Sequence, residues 1–373
     1  MTSRTRAVAA IAGAAARSHG LGGSSALVPR ARWSAGRARG WAAETGWLLG
    51  CNFTPSTAGN QLELWQAATF DPETIDRELG WAAELGMNSI RLFLHDLAFE
   101  VDPSGFLDRV DEVLGIAASH AVSVLPVLFD GIWDPDPRPG PQREPRPGIH
   151  NSTWVQGPGA AIVADRTRWP ALRPYVDAVL GRFGQDPRVV AWDLFNEPDS
   201  PNLAHARRDP ARKQELVGDL LELVWDWAEA ADPAQPLTVG VYLFPHRRAE
   251  RASRVARTAI ERSDVISFHC YAGEAGLTAT IDALERHGRP LVCTEWMGRP
   301  TSPVALARVL HDRGVGAYTW GLVDGRTQTR YPWTSWVRRS RPDAVWFHEL
   351  LHADGRPYDA SEAALLRELS PRI

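Results

Sequence analysis

The chain has 373 residues, of which 44% are hydrophobic and 23% are charged, so it has the composition of a globular protein with ample apolar content for a large core. Its formal net charge of -4 argues against a nucleic-acid-binding surface, and it has no run of about 18 apolar residues, the length that a transmembrane helix needs. Its three cysteines are odd in number and widely spaced, which argues against a disulfide framework or a zinc site and favours a reducing compartment.

The N-terminal region differs from the rest of the chain in its charge. Residues 1–43 contain many Arg and no Asp or Glu. Residues 7–16 form an apolar run made mostly of Ala, which lacks the Leu-rich core of a secretory signal peptide and is followed by Arg17. The sequence therefore predicts a disordered basic extension over residues 1–30, one folded domain over residues 31–373, and a cytoplasmic protein. A weak signal peptide, and hence secretion, is the alternative.

From residue 45 onward, short apolar runs alternate with longer amphipathic stretches. The apolar runs predict eight strands, at 47–53, 88–94, 122–129, 189–195, 237–243, 265–271, 291–295 and 316–320. Helices are predicted between them, the first with Asp71 as its N-cap and Pro72 in its first turn, a later one at 247–261, and the last near 342–352. Eight alternating units predict the α/β class and a single (β/α)8 barrel rather than an open doubly wound sheet.

One connection, residues 131–170, is much longer than the others. It is rich in Pro and Gly, and it contains Trp133, His150, Asn151 and Trp154. A loop of this length inside a compact domain is usually functional, and after a barrel strand it emerges at the face where active sites lie. We therefore predict that it contributes to a site, although loop packing explains its individual residues at least as well.

Polar and aromatic residues stand where the predicted strands end. They are Arg91, Asp130, Asn196, Glu197, His269, Tyr271, Glu295 and Trp320. Glu197 and Glu295 each close an apolar run, which is a costly place for a carboxylate that has no role. Strands four and seven lie across a barrel from each other, so the two carboxylates can face a shared cleft. A facing pair of carboxylates is the equipment for cleaving a glycosidic bond.

This ordered set of residues resembles the site of glycoside hydrolase family 5, the cellulase and mannanase family of clan A. The resemblance extends from about residue 47 to 350, and it rests on Arg91, Asn196-Glu197, the His269-x-Tyr271 motif, Glu295 and Trp320. Asp130 departs from the pattern, because the family usually has a His at the end of strand three. The resemblance therefore points to a divergent member.

A retaining β-glycosidase mechanism follows from the resemblance. Glu197 would be the general acid and later the general base, and Glu295 would be the nucleophile that forms a covalent glycosyl-enzyme. Tyr271 would donate a hydrogen bond that holds Glu295 ionised, and Arg91 would supply positive charge beside it.

The remaining positions would bind or orient the substrate. Asn196 would hydrogen-bond the sugar 2-hydroxyl, His269 would orient the acid or be a satisfied core histidine, and Trp320 would be the floor beneath the reacting sugar. Weaker candidates for sugar contacts are Asp130, Trp133 and Trp154. The pair His95-Asp96, which follows strand two, could bind sugar hydroxyls or could fix its loop.

The expected partner is a β-linked oligosaccharide or polysaccharide, with no cofactor, no catalytic metal, no nucleic acid and no membrane, and without a prediction of the oligomeric state. The long loop predicts a pocket or short cleft that prefers oligosaccharides or terminal residues. A non-catalytic carbohydrate-binding protein on the same scaffold is the alternative, although such a protein has no need for both glutamates. An aldolase would need a strand-end Lys for its Schiff base, but Lys213 lies in a predicted helix. A metal-dependent hydrolase would be supported by a His-x-His metal pair, and this motif does not occur. Both classes are therefore disfavoured.

Overall fold

Eight parallel strands form a nearly closed barrel in the computed structural model, which describes residues 30–242 and 253–370. The order around the barrel is β5-β4-β3-β2-β1-β8-β7-β6. The strands are β1 (Leu49–Phe53), β2 (Ser89–Phe93), β3 (Ser123–Val127), β4 (Trp192–Asn196), β5 (Leu237–Gly240), β6 (Ile266–His269), β7 (Leu291–Trp296) and β8 (Gly316–Trp320). Between β5 and β6 a single bridge joins Val241 to Phe268, and the His269 amide donates to the Val241 carbonyl at 2.9 Å.

Helices lie between the strands. The described α-helices are α1 (Ala35–Thr45), α2 (Gln61–Trp65), α3 (Pro72–Glu84), α4 (Asp96–Val101), α5 (Pro103–Ser119), α6 (Ala160–Val163), α7 (Arg173–Phe183), α8 (Lys213–Ala231), α9 (Arg254–Arg262), α10 (Glu274–Glu285), α11 (Ala307–Asp312) and α12 (Ala360–Glu368). Short 3-10 helices occur at Arg166–Leu172, Val304–Leu306 and Trp333–Trp336. None of the helices in the described part of the chain is long and apolar enough to cross a membrane.

Local sequence explains why these elements begin where they do. Asp71 caps α3 by accepting from the Thr74 amide at 3.1 Å, and Pro72 occupies the first turn, where its missing N–H leaves no helical hydrogen bond unmade. The strands are buried on both faces, as expected of a parallel barrel whose outer face is covered by helices. The three cysteines are buried and free within this core. The predicted single (β/α)8 barrel is confirmed.

The last predicted helix, near 342–352, is wrong. In this segment the carbonyl oxygens of Trp346, His348 and Glu349 accept hydrogen bonds from the Arg299 guanidinium, so they do not take part in a helical ladder. The final helix is α12 instead, capped by Asp359. Parts of two other predicted elements, residue 243 of the fifth strand and residues 247–252 of a helix, lie outside the described residues.

The N-terminal end of the barrel is covered by a helix that the sequence pattern did not predict. Ser34 caps α1, and Trp41 on this helix packs against the apolar cluster at the barrel base that includes Leu48, Val190 and Val265. Arg30, the last residue of the predicted extension, is buried and forms an ion pair with Asp264. Residues 1–29 lie outside the described residues.

Asp264 is the anchor for the chain that leads into this helix. Besides its ion pair with Arg30, it accepts from the backbone amides of Trp33 at 2.6 Å and Leu237 at 2.9 Å. Arg30 in turn donates to the carbonyl oxygen of Pro233 at 2.8 Å. Arg30 therefore joins the segment before α1 to the start of β5.

We expect Arg30→Ala to destabilise the barrel by about 3 kcal/mol, because it leaves Asp264 buried without its counter-charge. Urea unfolding monitored by circular dichroism would measure the change, with Arg39→Ala as the control, since Arg39 is exposed and makes a single carbonyl contact at 3.2 Å. Equal stability of the Arg30 and Arg39 variants would contradict this account of the N-terminal anchor.

Deleting residues 1–29 should leave folding intact, because their sequence lacks an apolar pattern able to dock on the barrel.

Candidate active site

A cavity of about 400 Å³ opens at the C-terminal ends of the strands. Four of the strand-end residues singled out in the sequence line its inner part: Glu197, Glu295, Trp320 and, two residues past β6, Tyr271. This is the face at which barrel enzymes place their active sites. Trp133 lines the same cavity from the long loop.

Arg91 lies beneath this cavity, at the centre of a buried hydrogen-bond network. Its side chain is fully buried, and it donates to Asp193 at 2.7 and 3.1 Å, to Asn196 at 2.7 Å, to Asn52 at 2.7 Å and to Glu295 at 3.1 Å. All five guanidinium N–H groups therefore have acceptors from β1, β4 and β7. Arg91 therefore forms ion pairs both with Asp193 on β4 and with Glu295 on β7.

Glu197 and Glu295 face each other across a shared histidine. His269 Nδ1 lies 2.7 Å from one carboxylate oxygen of Glu197 and 3.5 Å from one of Glu295. One carboxylate oxygen of each glutamate and one ring nitrogen of His269 lie within 4.8 Å of one another. The Tyr271 hydroxyl donates to the same oxygen of Glu295, Oε2, at 2.9 Å. A single small group could contact both carboxylates at once.

Charge and burial give the two carboxyl groups different proton affinities. Burial raises the pKa of Glu197 well above its usual value, and the nearby carboxylates of Asp199 and Asp130 raise it further. Burial also raises the pKa of Glu295, to about 7, but the Arg91 guanidinium and the Tyr271 hydroxyl act in the opposite direction. Glu295 is therefore the more easily ionised of the pair, and Glu197 is the more easily protonated.

His269 is neutral in this environment. Burial lowers the pKa of His269 to about 4, and the Arg91 guanidinium acts in the same direction. A neutral imidazole can donate one hydrogen bond from Nδ1, and Glu197 is the nearest acceptor. His269 does not line the cavity, so its contact is with the glutamates rather than with a ligand there.

The backbone is irregular where the two glutamates leave their strands. Glu197 has a φ of 47°, in the left-handed region that non-glycine residues rarely adopt. The register between β7 and β8 shifts between Cys293 and Trp296, on either side of Glu295. Such irregularities turn a side chain from the direction that a regular strand would give it. Gly240 gives the network room, because a Cβ there would meet His269 Nε2 at 2.9 Å.

Asp130, a predicted sugar contact, makes its contacts within the protein. It is buried and accepts from Asn196 Nδ2 at 2.9 Å, from Trp154 Nε1 at 2.7 Å and from Gln61 Nε2 at 3.2 Å. Burial raises the pKa of Asp130 to about 6, while these donors favour its anion. With Arg91 donating to the Asn196 oxygen, the amide of Asn196 is fixed in one orientation. Asp130 thus positions Asn196.

The two loop tryptophans have different places. Trp133 lines the cavity, where its ring stacks on Trp336 with centroids 5.8 Å apart. Trp154 is outside the cavity lining, and it packs edge-on against Trp320 at 5.8 Å while donating to Asp130. The sequence analysis treated both as candidate sugar contacts, because both are tryptophans in the same loop.

The weaker candidates divide in the same way. His150 lines the cavity and donates from Nδ1 to the Tyr331 carbonyl at 2.7 Å, whereas Asn151 does not line it. His95 and Asp96 are buried, and His95 Nε2 contacts the Gln156 carbonyl at 2.9 Å. His95 therefore holds the long loop, and neither residue lines the cavity.

The sequence analysis missed several residues of the site region, among them two near strand ends and two tryptophans after β8. Asn52 is the penultimate residue of β1 and Tyr242 follows β5 by two residues, so the strand-end criterion could have found both. Trp333 and Trp336 follow β8 on a 3-10 helix and line the cavity. Their signal, aromatic residues in a loop, is too general to select them from 16 tryptophans.

The long loop closes one side of the cavity. Its Thr153 hydroxyl donates to the Gly59 carbonyl at 2.8 Å, in the connection after β1. Its Asn151 amide donates to the Thr327 carbonyl at 2.8 Å, in the connection after β8. The loop therefore extends from β3 to the opposite edge of the barrel mouth.

The cluster of Glu197, His269 and Glu295 also has the donor atoms of a metal site. Arg91, however, lies 3.1 Å from Glu295 and already places a positive charge beside it. A cation bound to Glu295 would be repelled by this guanidinium. We keep the prediction that the site does not use a metal.

Known structures share this fold. Neither a protein-family model nor a curated protein matches the sequence. A GH5_18 protein from Streptomyces cattleya in complex with Manb1-4GlcNAc is 16% identical, with a TM-score of 0.59 over 87% of this chain and 80% of its own. An endo-1,4-beta-D-mannanase from Thermotoga petrophila is 16% identical, with a TM-score of 0.53 over 87% and 99%. The chain therefore shares the (β/α)8 barrel fold of these proteins, at a sequence identity of 16%.

Proposed function

We propose that this protein is a retaining β-glycoside hydrolase that uses Glu197 and Glu295 in a double displacement. The observation that carries the proposal is the spacing of the two carboxylates. One oxygen of Glu197 and one oxygen of Glu295 lie within 4.8 Å of each other. Retaining glycosidases hold their carboxyl groups about 5 to 5.5 Å apart, whereas inverting enzymes need about 6.5 to 9.5 Å to admit a water molecule.

The roles follow from the surroundings of each carboxylate. Glu295 is paired with Arg91 and Tyr271, both of which favour an anion, so it attacks the anomeric carbon. Glu197, whose pKa is raised by burial and neighbouring carboxylates, protonates the leaving oxygen. In the second step, Glu197 takes a proton from water, and the resulting hydroxyl displaces Glu295 from the sugar.

Other residues act on the reacting sugar. Trp320 lines the inner cavity and offers the ring beneath the sugar. Asn196 lies below the cavity lining, where Arg91 and Asp130 fix it, and its second amide hydrogen is the group that we propose for the sugar 2-hydroxyl. An interaction at this hydroxyl strengthens in the transition state. His269 holds Glu197 in place.

The substrate class that we propose is a short β-linked saccharide or glycoside with a terminal sugar in the pocket. The loop that closes one side of the cavity favours a pocket over an open cleft. Among proteins of the same fold are a beta-glucosidase with a TM-score of 0.57 at 14% identity, and an exo-beta-1,4-mannosidase from an Opitutaceae bacterium with 0.54 at 17%. A non-catalytic carbohydrate-binding protein would not need the ionisation difference between Glu197 and Glu295.

Glu295→Gln should lower kcat by more than about 10³-fold without unfolding the barrel, because the amide replaces the nucleophile with little change in size.

Glu197→Ala should slow substrates with poor leaving groups far more than activated aryl glycosides, because only the former need protonation. A panel of aryl β-glycosides and β-linked oligosaccharides would measure both effects.

The anomer of the first product, observed by NMR, decides between retention and inversion. Inversion would remove Glu295 as nucleophile. Equal losses for both leaving-group classes in Glu197→Ala would remove Glu197 as acid.

We expect a bell-shaped dependence of kcat/KM on pH. Activity rises with pH as Glu295 ionises, around its pKa of about 7, and falls at higher pH as Glu197 loses its proton. Tyr271→Phe removes a donor that favours the Glu295 anion, so the acid limb should move to higher pH. Tyr242→Phe is the control, since Tyr242 lines the cavity without a hydrogen bond to Glu295. An unchanged acid limb in Tyr271→Phe would contradict the assignment.

The two loop tryptophans should respond differently to substitution. Trp133→Ala should raise KM about tenfold more than it lowers kcat, because Trp133 lines the cavity and contributes uniform binding. Trp154→Phe keeps a ring under Trp320 but removes the hydrogen bond to Asp130, so it should lower kcat with little change in KM. Steady-state kinetics on the best aryl glycoside measure both, and the same pattern in the two variants would contradict their different placement.

A further inference from the structure

The outer part of the active-site cavity has an apolar wall. Leu203 and Val337 line the mouth and are 82% and 94% exposed. Pro201, Ala204 and Trp336 line the same part. Large exposed apolar side chains that meet at a cavity mouth are typical of a binding surface, whereas a single one elsewhere on the surface is ordinary.

This wall lies on the leaving-group side. Leu203 stands six residues after Glu197, and the Ser200 amide donates to the Glu197 carbonyl at 3.0 Å, so the chain turns directly from the general acid into the wall. A general acid must lie beside the oxygen that it protonates. The residues that follow Glu197 in the chain therefore lie next to the leaving group, which is attached to the oxygen that Glu197 protonates.

The wall is held in place by the long loop. The Asn202 side chain accepts from the Trp133 amide at 2.8 Å and donates to the Trp133 carbonyl at 2.9 Å. It also donates to Asp209 at 2.6 Å, and Asp209 forms an ion pair with Lys213 at 2.9 Å. Asn202 is buried while its neighbour Leu203 is exposed. The backbone beside Leu203 is thus fixed, and the apolar side chain stays at the mouth.

The chemistry of the wall decides what it can recognise. Sugar hydroxyls need hydrogen-bond partners when water is removed from them. Trp336 adds a ring to the wall, but this ring stacks on Trp133 and its indole N–H donates to the His150 carbonyl at 2.8 Å. The side chains of Pro201, Leu203, Ala204 and Val337 have no donor or acceptor and no aromatic face on which a sugar could stack. They gain free energy only by removing apolar surface from water.

We propose that this wall is an aglycone subsite, and that the natural substrate carries an apolar alcohol, alkyl or alicyclic, in β-linkage to the sugar; this rests on the function proposed above. Glu295 forms a bond to the anomeric carbon as the bond from that carbon to the alcohol oxygen breaks, and Glu197 gives its proton to that oxygen. Water then releases the sugar and returns the proton to Glu197. The products are one free sugar and one apolar alcohol.

A homologous series tests the proposal. We would measure kcat/KM for methyl, butyl, hexyl and octyl β-glycosides of the sugar preferred in the aryl-glycoside panel, below their micelle concentrations. These alcohols differ little in acidity, so the series reports on binding of the alkyl chain. We expect kcat/KM to rise by up to about fourfold for each methylene that the wall buries. A flat series would overturn the proposal, and so would a disaccharide of the same sugar that exceeds the octyl glycoside.

Charged substitutions locate the effect. Leu203→Asp and Val337→Asp should each lower the octyl-to-methyl ratio of kcat/KM at least tenfold. Val101→Asp is the matched control, because Val101 is 58% exposed and does not line the cavity, and its ratio should equal that of the wild type. Equal ratios in all three variants would overturn the placement of the subsite.

A binding measurement separates this proposal from the proposed function. Trp133, Trp333 and Trp336 line the cavity, so quenching of tryptophan fluorescence reports octyl and methyl β-glucoside or β-mannoside binding without turnover. Absence of hydrolysis of every glycoside would refute the glycosidase function. Octyl binding that is stronger than methyl binding and weakened by Leu203→Asp would still support an apolar subsite. Equal binding of the two would overturn it, whatever the activity.

Discussion

The buried guanidinium of Arg91 is the constraint on which the site depends. An arginine without access to water must have acceptors for all five N–H groups and at least one counter-charge, because an unpaired buried charge costs several kcal/mol. Asp193 and Glu295 supply the charge, and Asn52 and Asn196 complete the set. Arg91 on β2 therefore fixes the ends of β1, β4 and β7 in relation to one another. Of the two proposed catalytic glutamates, Glu295 lies on β7 and Glu197 directly follows β4.

The same network produces the chemical difference between the two glutamates. Glu295 accepts from Arg91 and Tyr271, whereas Glu197 faces the carboxylates of Asp199 and Asp130 and a neutral His269. Both are deeply buried, so burial alone would raise both pKa values. The asymmetry in their neighbours separates the proposed nucleophile from the proposed acid, which is the pattern that a double displacement requires.

The long loop after β3 links this chemistry to substrate choice. Asp130 at its start fixes the Asn196 amide, and Trp133 a few residues later is held by Asn202 in the connection after β4. The loop then passes to the far edge of the barrel mouth. Its aromatic residues and the aliphatic side chains of Leu203 and Val337 give the outer cavity an apolar character, while the ionisable groups stay at the bottom. The loop that positions Asn196 thus also holds the backbone beside the proposed leaving-group wall, through the contact of Trp133 with Asn202.

The sequence by itself determined the barrel and most of the strand-end residues, because a parallel strand buried on both faces leaves a local apolar run whose C-terminal end can be read directly. It did not determine the helix at 35–45, the absence of a helix at 342–352, or the different places of Trp133 and Trp154. Each of these depends on a contact between distant segments: Arg30 with Asp264, Arg299 with the carbonyls of Trp346 to Glu349, and Trp154 with Asp130. Local patterns carry the periodicity of burial, but the partner of a buried polar group is chosen only when the tertiary structure brings the two together.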